Sequence, residues 1–141
     1  MEYQQLLQSW YDRVWSQGDL DAVDEFFAPQ AAANGMMPDL QASAADMRDL
    51  VLAVQSMLRE IKFSVDLVLV QDDWVSAMVS MAAKSAETMQ PVKINGHVMM
   101  RMEGGLIVEA YNHFDFLGFL EQVGALPKDT LALALSGMRF S

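Results

Sequence analysis

The sequence predicts an α+β fold in which helices come first, an antiparallel run of strands follows, and short helices close the chain. Three observations predict it. Apolar residues recur at helical spacing as far as Ile61. The texture then changes to alternating segments rich in β-branched side chains. Within those segments Gly104-Gly105 separates two alternating runs, a strong hairpin signal. Elements in that order place helices on one face of a curved sheet.

The first helix is expected over residues 3–17, where Tyr3, Leu6, Leu7, Trp10, Tyr11 and Val14 share a face and Gln5, Gln8, Asp12 and Arg13 lie between them. Gly18 ends it and Asp19 can cap a second helix, Leu20–Phe27, which Ala28-Pro29 stops. Residues 31–37 read as a short strand running into a turn at Met37-Pro38-Asp39. Ser43 with Asp46 resembles a capping box ahead of a long helix, Ala44–Glu60, whose apolar side holds Met47, Leu50, Val51, Val54, Met57 and Leu58. Lys62–Gln71 and Trp74–Lys84 alternate around a turn at Asp72-Asp73. After the Ser85–Gln90 loop come the strands Val92–Glu103 and Leu106–Phe114, then helices at Phe116–Val123 and roughly Lys128–Gly137. No linker, repeat or low-complexity run interrupts residues 1–141, so one domain is expected.

Half of the residues are apolar and a fifth are charged, the balance of a compact protein with a real core. The net charge of -10 disfavours nucleic acid and anionic membrane surfaces, both of which call for a basic face. The absence of cysteine excludes disulfides, thiol catalysis and thiolate metal sites, and suits a reducing cytoplasm. No signal peptide is apparent, and no apolar run approaches the ~20 residues of a membrane helix. Twelve methionines suit adaptable core filling or a pliable apolar cavity. The two histidines, His97 and His113, lack metal-ligand spacing and no third ligand is obvious, so no metal site is expected.

The segment from Arg101 to Gly124 carries the most information. Its second strand ends on one carboxylate, Asp115, in otherwise apolar and aromatic surroundings. Such an Asp is a cap for the helix opening at Phe116, a buried acid/base, or both. Strict alternation puts Ile107, Glu109, Tyr111, His113 and Asp115 on one side of the strand, with Leu106, Val108, Ala110, Asn112 and Phe114 on the other. His97, beside a bend expected at Asn95-Gly96, reads as a surface residue, and Arg101 reads as a partner of Glu109 or a neighbouring acid.

Met99–Pro127 resembles, without a gap, the C-terminal signature of SnoaL-like polyketide cyclases. The matching residues are Arg101, Glu103, Gly105, Ile107, Val108 and Glu109, the aromatic Tyr111, then Asp115, Leu117-Gly118 and Gln122-x-Gly124. Trp15-x-x-Gly18-Asp19-Leu20-Asp21 and Phe27-Ala28-Pro29 look like the start of the same family. The resemblance implies a cone-shaped sheet wrapped around N-terminal helices, the nuclear transport factor 2-like or cystatin-like roll. It places Asp115 on the concave side as acid/base, and alternation then brings Tyr111 and His113 into the same pocket. Where relatives often carry histidine this chain has Asn34, a pocket polar group or, with Gly35, a turn residue. Trp10, Trp15 and Met99 complete the expected pocket.

The implied function is a cofactor-independent cyclase or isomerase acting on a small hydrophobic carbonyl compound. Asp115 would withdraw a proton, and Tyr111, His113 or Asn34 would stabilise the enolate oxygen. The rival is a binding module of the same fold, with an apolar ligand in the cavity or a homodimer through the sheet. Epoxide hydrolysis, with Arg101 between two carboxylates, is a third reading. These readings part on geometry: acid/base work requires Asp115 inside the cavity, and a surface Arg101 removes the epoxide reading.

Overall fold

The computed structural model of the protein describes residues 2–35 and 41–139. Helix α1, Glu2–Trp10, continues as a wider π-helical segment, Tyr11–Ser16, in which the Gln17 N–H donates to the Asp12 carbonyl five residues back at 2.9 Å. Of the apolar stripe read from the sequence, Leu7, Trp10, Tyr11 and Val14 are buried and Tyr3 and Leu6 pack partly buried against the core, which Trp15 also joins. Gly18, at φ +73°, reverses the chain.

The second helix is shorter than expected. One 3₁₀ turn, Leu20–Ala22, leads into α2, Val23–Phe26, and Phe27 is already extended. Strand β1 runs over Phe27–Asn34, because Pro29 forbids helix at Ala28 and supplies no donor of its own. Pro29 and Gln30 are exposed where the pairing of β1 is irregular, between Phe27 and Ala32. The turn expected at Met37-Pro38-Asp39 lies outside the described residues.

Helix α3, Ala44–Met57, opens on the expected capping box. The Asp46 N–H donates to Ser43 Oγ at 3.2 Å, and the Ser43 N–H donates to the Asp46 carboxylate at 3.0 Å. It ends at Met57 rather than Glu60, because Leu58 turns extended and pairs with Ser85 at the start of β2, Leu58–Gln71. Then follow β3 (Trp74–Ser85), β4 (Pro91–Glu103), β5 (Leu106–Phe114), α4 (Phe116–Gln122) and α5 (Thr130–Leu135). The last helix is shorter than its sequence pattern suggests and buries none of its residues.

The sheet has the order β1-β5-β4-β3-β2. Four strands form the expected antiparallel meander, and β1 adds a parallel edge beside β5. Irregularities in β1, β2 and β5 curve it around α1 and α3, as inserted residues bend and twist a strand. Edge strand β2 is tied to α1 by side chains. Gln8 donates to the Phe63 carbonyl at 2.8 Å and accepts from the Val65 N–H at 2.9 Å, while Gln4 donates to the Val65 carbonyl at 3.1 Å. The row Val75, Ala77, Val79 and Met81 of β3 is buried on the inner face of the sheet. Asn95-Gly96 is not a bend: both lie within β4, and the missing side chain of Gly96 leaves room for the Phe114 ring on the neighbouring strand.

Candidate functional site

The polarity of β5 decides the site. Arg101 pairs with Glu109, but Met102 pairs with Ile107, so Val108 is one residue too many for its partner strand. A bulge of this kind exchanges the two faces of a strand, because side chains alternate with a period of two. Ile107 therefore points inward before it, and Ala110, Asn112 and Phe114 point inward after it. Glu109, Tyr111 and His113 point outward, and Tyr111 and His113 are exposed. Alternation does keep Tyr111, His113 and Asp115 on one side, but that side is the outer one, so placing Asp115 on the concave face carried Tyr111 and His113 to the wrong side with it.

Asp115 lies outside as well. It is exposed, its N–H donates to the Asn95 carbonyl at 3.2 Å, and its Oδ1 accepts from the Gly118 N–H at 2.9 Å. It is the N-cap of α4. Gly118 fits this role, since a Cβ there would stand 2.3 Å from Asp115 Oδ2. Asn34 ends β1, where its amide donates to the Ala110 carbonyl at 3.3 Å, and Gly35 turns the chain at φ +85°. Met99 is 43% exposed on the outer face of β4; its neighbour Met100 is the one that points in. Of the expected pocket residues only Trp10 and Trp15 line the cavity.

Arg101 is on the outer face, bonded to Glu103 at 2.7 Å and Glu109 at 3.1 Å, and Tyr111 donates to the other oxygen of Glu109. The Tyr111 hydroxyl, followed by the Arg101 guanidinium, holds the Glu109 carboxyl below its ordinary value. The same bond raises the Tyr111 phenol. This arrangement removes Arg101 from the interior and, with it, the epoxide reading. His97 is exposed, with Nε2 2.8 Å from Ser76 Oγ. Among the described residues no cluster of three His, Asp or Glu could hold a metal ion.

The cavity lies between α1 with its π-helical extension, α3, α4 and the inner face of the sheet. Its free volume is about 40 Å³, room for roughly two or three waters. Aromatic rings form much of its wall. Tyr11 stacks on Phe63 at 4.9 Å, and Phe114, Phe116 and Phe119 meet edge to face at 6.3 and 6.4 Å. Met47, Met81 and Met100 fill gaps between them. Among the described residues no carboxylate or imidazole lines this space.

Two polar groups do. Asn112 is buried on β5 at 9% exposure, and its Nδ2 has no hydrogen-bond partner among the described residues. Tyr11 is buried at the start of the π-helical segment, where burial pushes its phenol well above the ordinary value. Reading the sequence for function gave neither of them a polar role. A signal existed: Glu109 and His113 share one parity and Ala110 and Phe114 the other, which suits an outward polar row once the apolar run Leu106-Ile107-Val108 is seen to contain an extra residue.

A model of the SnoaL-like polyketide cyclase family matches residues 5–123. The chain belongs to that family. A search of curated protein sequences finds no significant match. Among solved structures, AclR of Streptomyces galilaeus, described as a candidate hydroxylase, superposes with a TM-score of 0.74 at 20% identity over 96% of this chain and 90% of its own. A candidate polyketide cyclase from Acidithiobacillus ferrooxidans gives 0.70 at 19% identity over 86% and 93%. A protein of ketosteroid isomerase-like fold from Catenulispora acidiphila, solved with trimethylamine, gives 0.69 at 14% identity over 84% and 92%. At these identities the likeness establishes the fold, the curved α+β architecture of the nuclear transport factor 2-like group. No helix among the described residues is long and apolar enough to cross a membrane.

Proposed function

We propose that the protein binds a small hydrophobic molecule in the cavity under α1, and that Asp115 serves the fold as a helix cap and not as a base. The observation behind this reading is the wall of the cavity: aromatic rings, methionines and two neutral polar groups, with no carboxylate or imidazole among the described residues. Enolisation needs a base within hydrogen-bond reach of the carbon acid, and an exposed aspartate turned toward Gly118 lacks that reach. Family membership supports a ligand of the polyketide type, an apolar ring system of small size. Its entry requires the wall to yield, which the three methionines make inexpensive.

Calorimetric titration with indane tests the reading. Wild type and Asp115→Asn should bind alike, and Val54→Trp, which fills the cavity, should not bind. Equal binding by Val54→Trp, or a substrate turned over by wild type and not by Asp115→Asn, overturns it.

We also propose that a second copy of the chain covers the outer face of the sheet. Register aligns Leu67, Met78, His97 and His113 in one row and Leu69, Ser76, Met99 and Tyr111 in the next. Leu67, Leu69, Met78 and Met99 are 43–62% exposed, a contiguous apolar patch beside Trp74 stacked on Tyr111. A two-fold axis through such a patch buries it against itself. Sedimentation should show a dimer that Met78→Glu converts to monomer, and a monomeric wild type ends the proposal.

A further inference from the structure

The geometry points to Asn112 and Tyr11 as a neutral polar anchor that selects ligands bearing an acceptor oxygen, such as a cyclic ketone, over the corresponding hydrocarbon. This rests on the cavity being a binding site, and it adds which atoms set the specificity.

Each group has a definite structural reason to face the cavity. Asn112 pairs with the inward-facing Val98, so its side chain lies on the inner side of β5. The π-helical segment begins at Tyr11, and such segments are uncommon and concentrate at functional sites. An amide buried without a partner is destabilising, and an apolar residue would avoid that cost. Its place in an otherwise apolar wall is explained if something inside the cavity bonds it. The Asn112 Nδ2 is a donor, and the Tyr11 phenol, which burial keeps protonated, is a second. No charged side chain among the described residues lines the cavity to pair with an ionised ligand, and desolvating an unpaired charge there is far more costly than desolvating a ketone. The complementary occupant is therefore neutral, flat enough to lie among the rings, and equipped with a carbonyl oxygen. A site built to hydrogen-bond such an oxygen discriminates against the analogue lacking it, because the donors are left unpaired.

The test compares indanone with indane, which share one ring skeleton, by calorimetric titration of wild type, Asn112→Leu and Tyr11→Phe. Wild type should prefer indanone by roughly tenfold or more, the worth of one well-made buried hydrogen bond. Asn112→Leu should erase most of that preference by weakening indanone binding, and Tyr11→Phe should reduce it. Thermal melts of the ligand-free variants serve as the folding control, and Asn112→Leu should melt no lower than wild type because it removes an unpaired polar group. Equal affinity of wild type for the two compounds overturns the inference while leaving the cavity reading intact. A preference that survives both substitutions also overturns it. Binding of neither compound overturns both readings together.

Discussion

The two faces of β5 are built from neighbouring residues and behave as different materials. The inner face, Ile107, Ala110, Asn112 and Phe114, meets helices and a cavity wall and carries no ionisable group. The outer face, Glu109, Tyr111 and His113, joins Arg101, Glu103 and His97 in an exposed, titratable surface. Every residue from which acid/base chemistry was expected lies on the outer face or, in the case of Asp115, beyond the end of the strand. Ordinary alternation makes this separation, and the inserted residue, Val108, lets Ile107 join the inner face. A functional assignment carried along a strand is therefore only as secure as the residue that anchors it.

Truncations on opposite faces should show the largest difference. Ile107→Ala, at 1% exposure, should cost about 2–5 kcal/mol, whereas Met99→Ala on the outer face should stay within about 0.5 kcal/mol in the monomer. Comparable losses in denaturant titrations at low protein concentration would mean that the outer face is no freer than the inner one.

The boundary between the faces is sharpened by Asp115. Asp115→Ala should destabilise by ~1 kcal/mol through loss of the cap, and Asp115→Asn, which can cap as well, should be nearly neutral. A clear loss in the asparagine variant would show that the negative charge itself matters there. The smallest effect concerns Glu109. Its folded-state pKa is depressed by Tyr111 and Arg101, so its contribution is fully present above its ordinary value of 4.5 and is lost as pH falls from there through the depressed value. Glu109→Gln should lower stability slightly at neutral pH, flatten the acid limb of the profile below about pH 4.5, and converge with wild type at low pH. An unaltered acid limb would mean that the contact with Tyr111 contributes nothing.

Much of the fold was legible because its signals are local. The capping box at Ser43 and Asp46, the stop at Gly18, the Gly104-Gly105 hairpin and the amphipathic stripe of α1 each depend on residues within one or two turns of each other. The errors cluster where a distant partner outweighs local preference. Leu58 leaves the helix because Ser85 is there to pair with it. Residues 27–30 are drawn into β1 by β5 and by the constraint of Pro29. Asn95-Gly96, a turn signal in isolation, is held straight between β3 and β5, and its glycine answers to Phe114 instead.

By itself the sequence determined the class of the protein: the order of its helices and strands, an apolar core without cysteine, and membership of the SnoaL-like family, whose motif lies in the run Arg101–Gly124. Only the tertiary structure decided which residues see the cavity. Facing is a property of pairing between strands, and a bulge is visible only when the partner strand is present to be counted against. Asp115 became a cap, Tyr111 and His113 moved outside, and Asn112 with Tyr11 took their place at the interior.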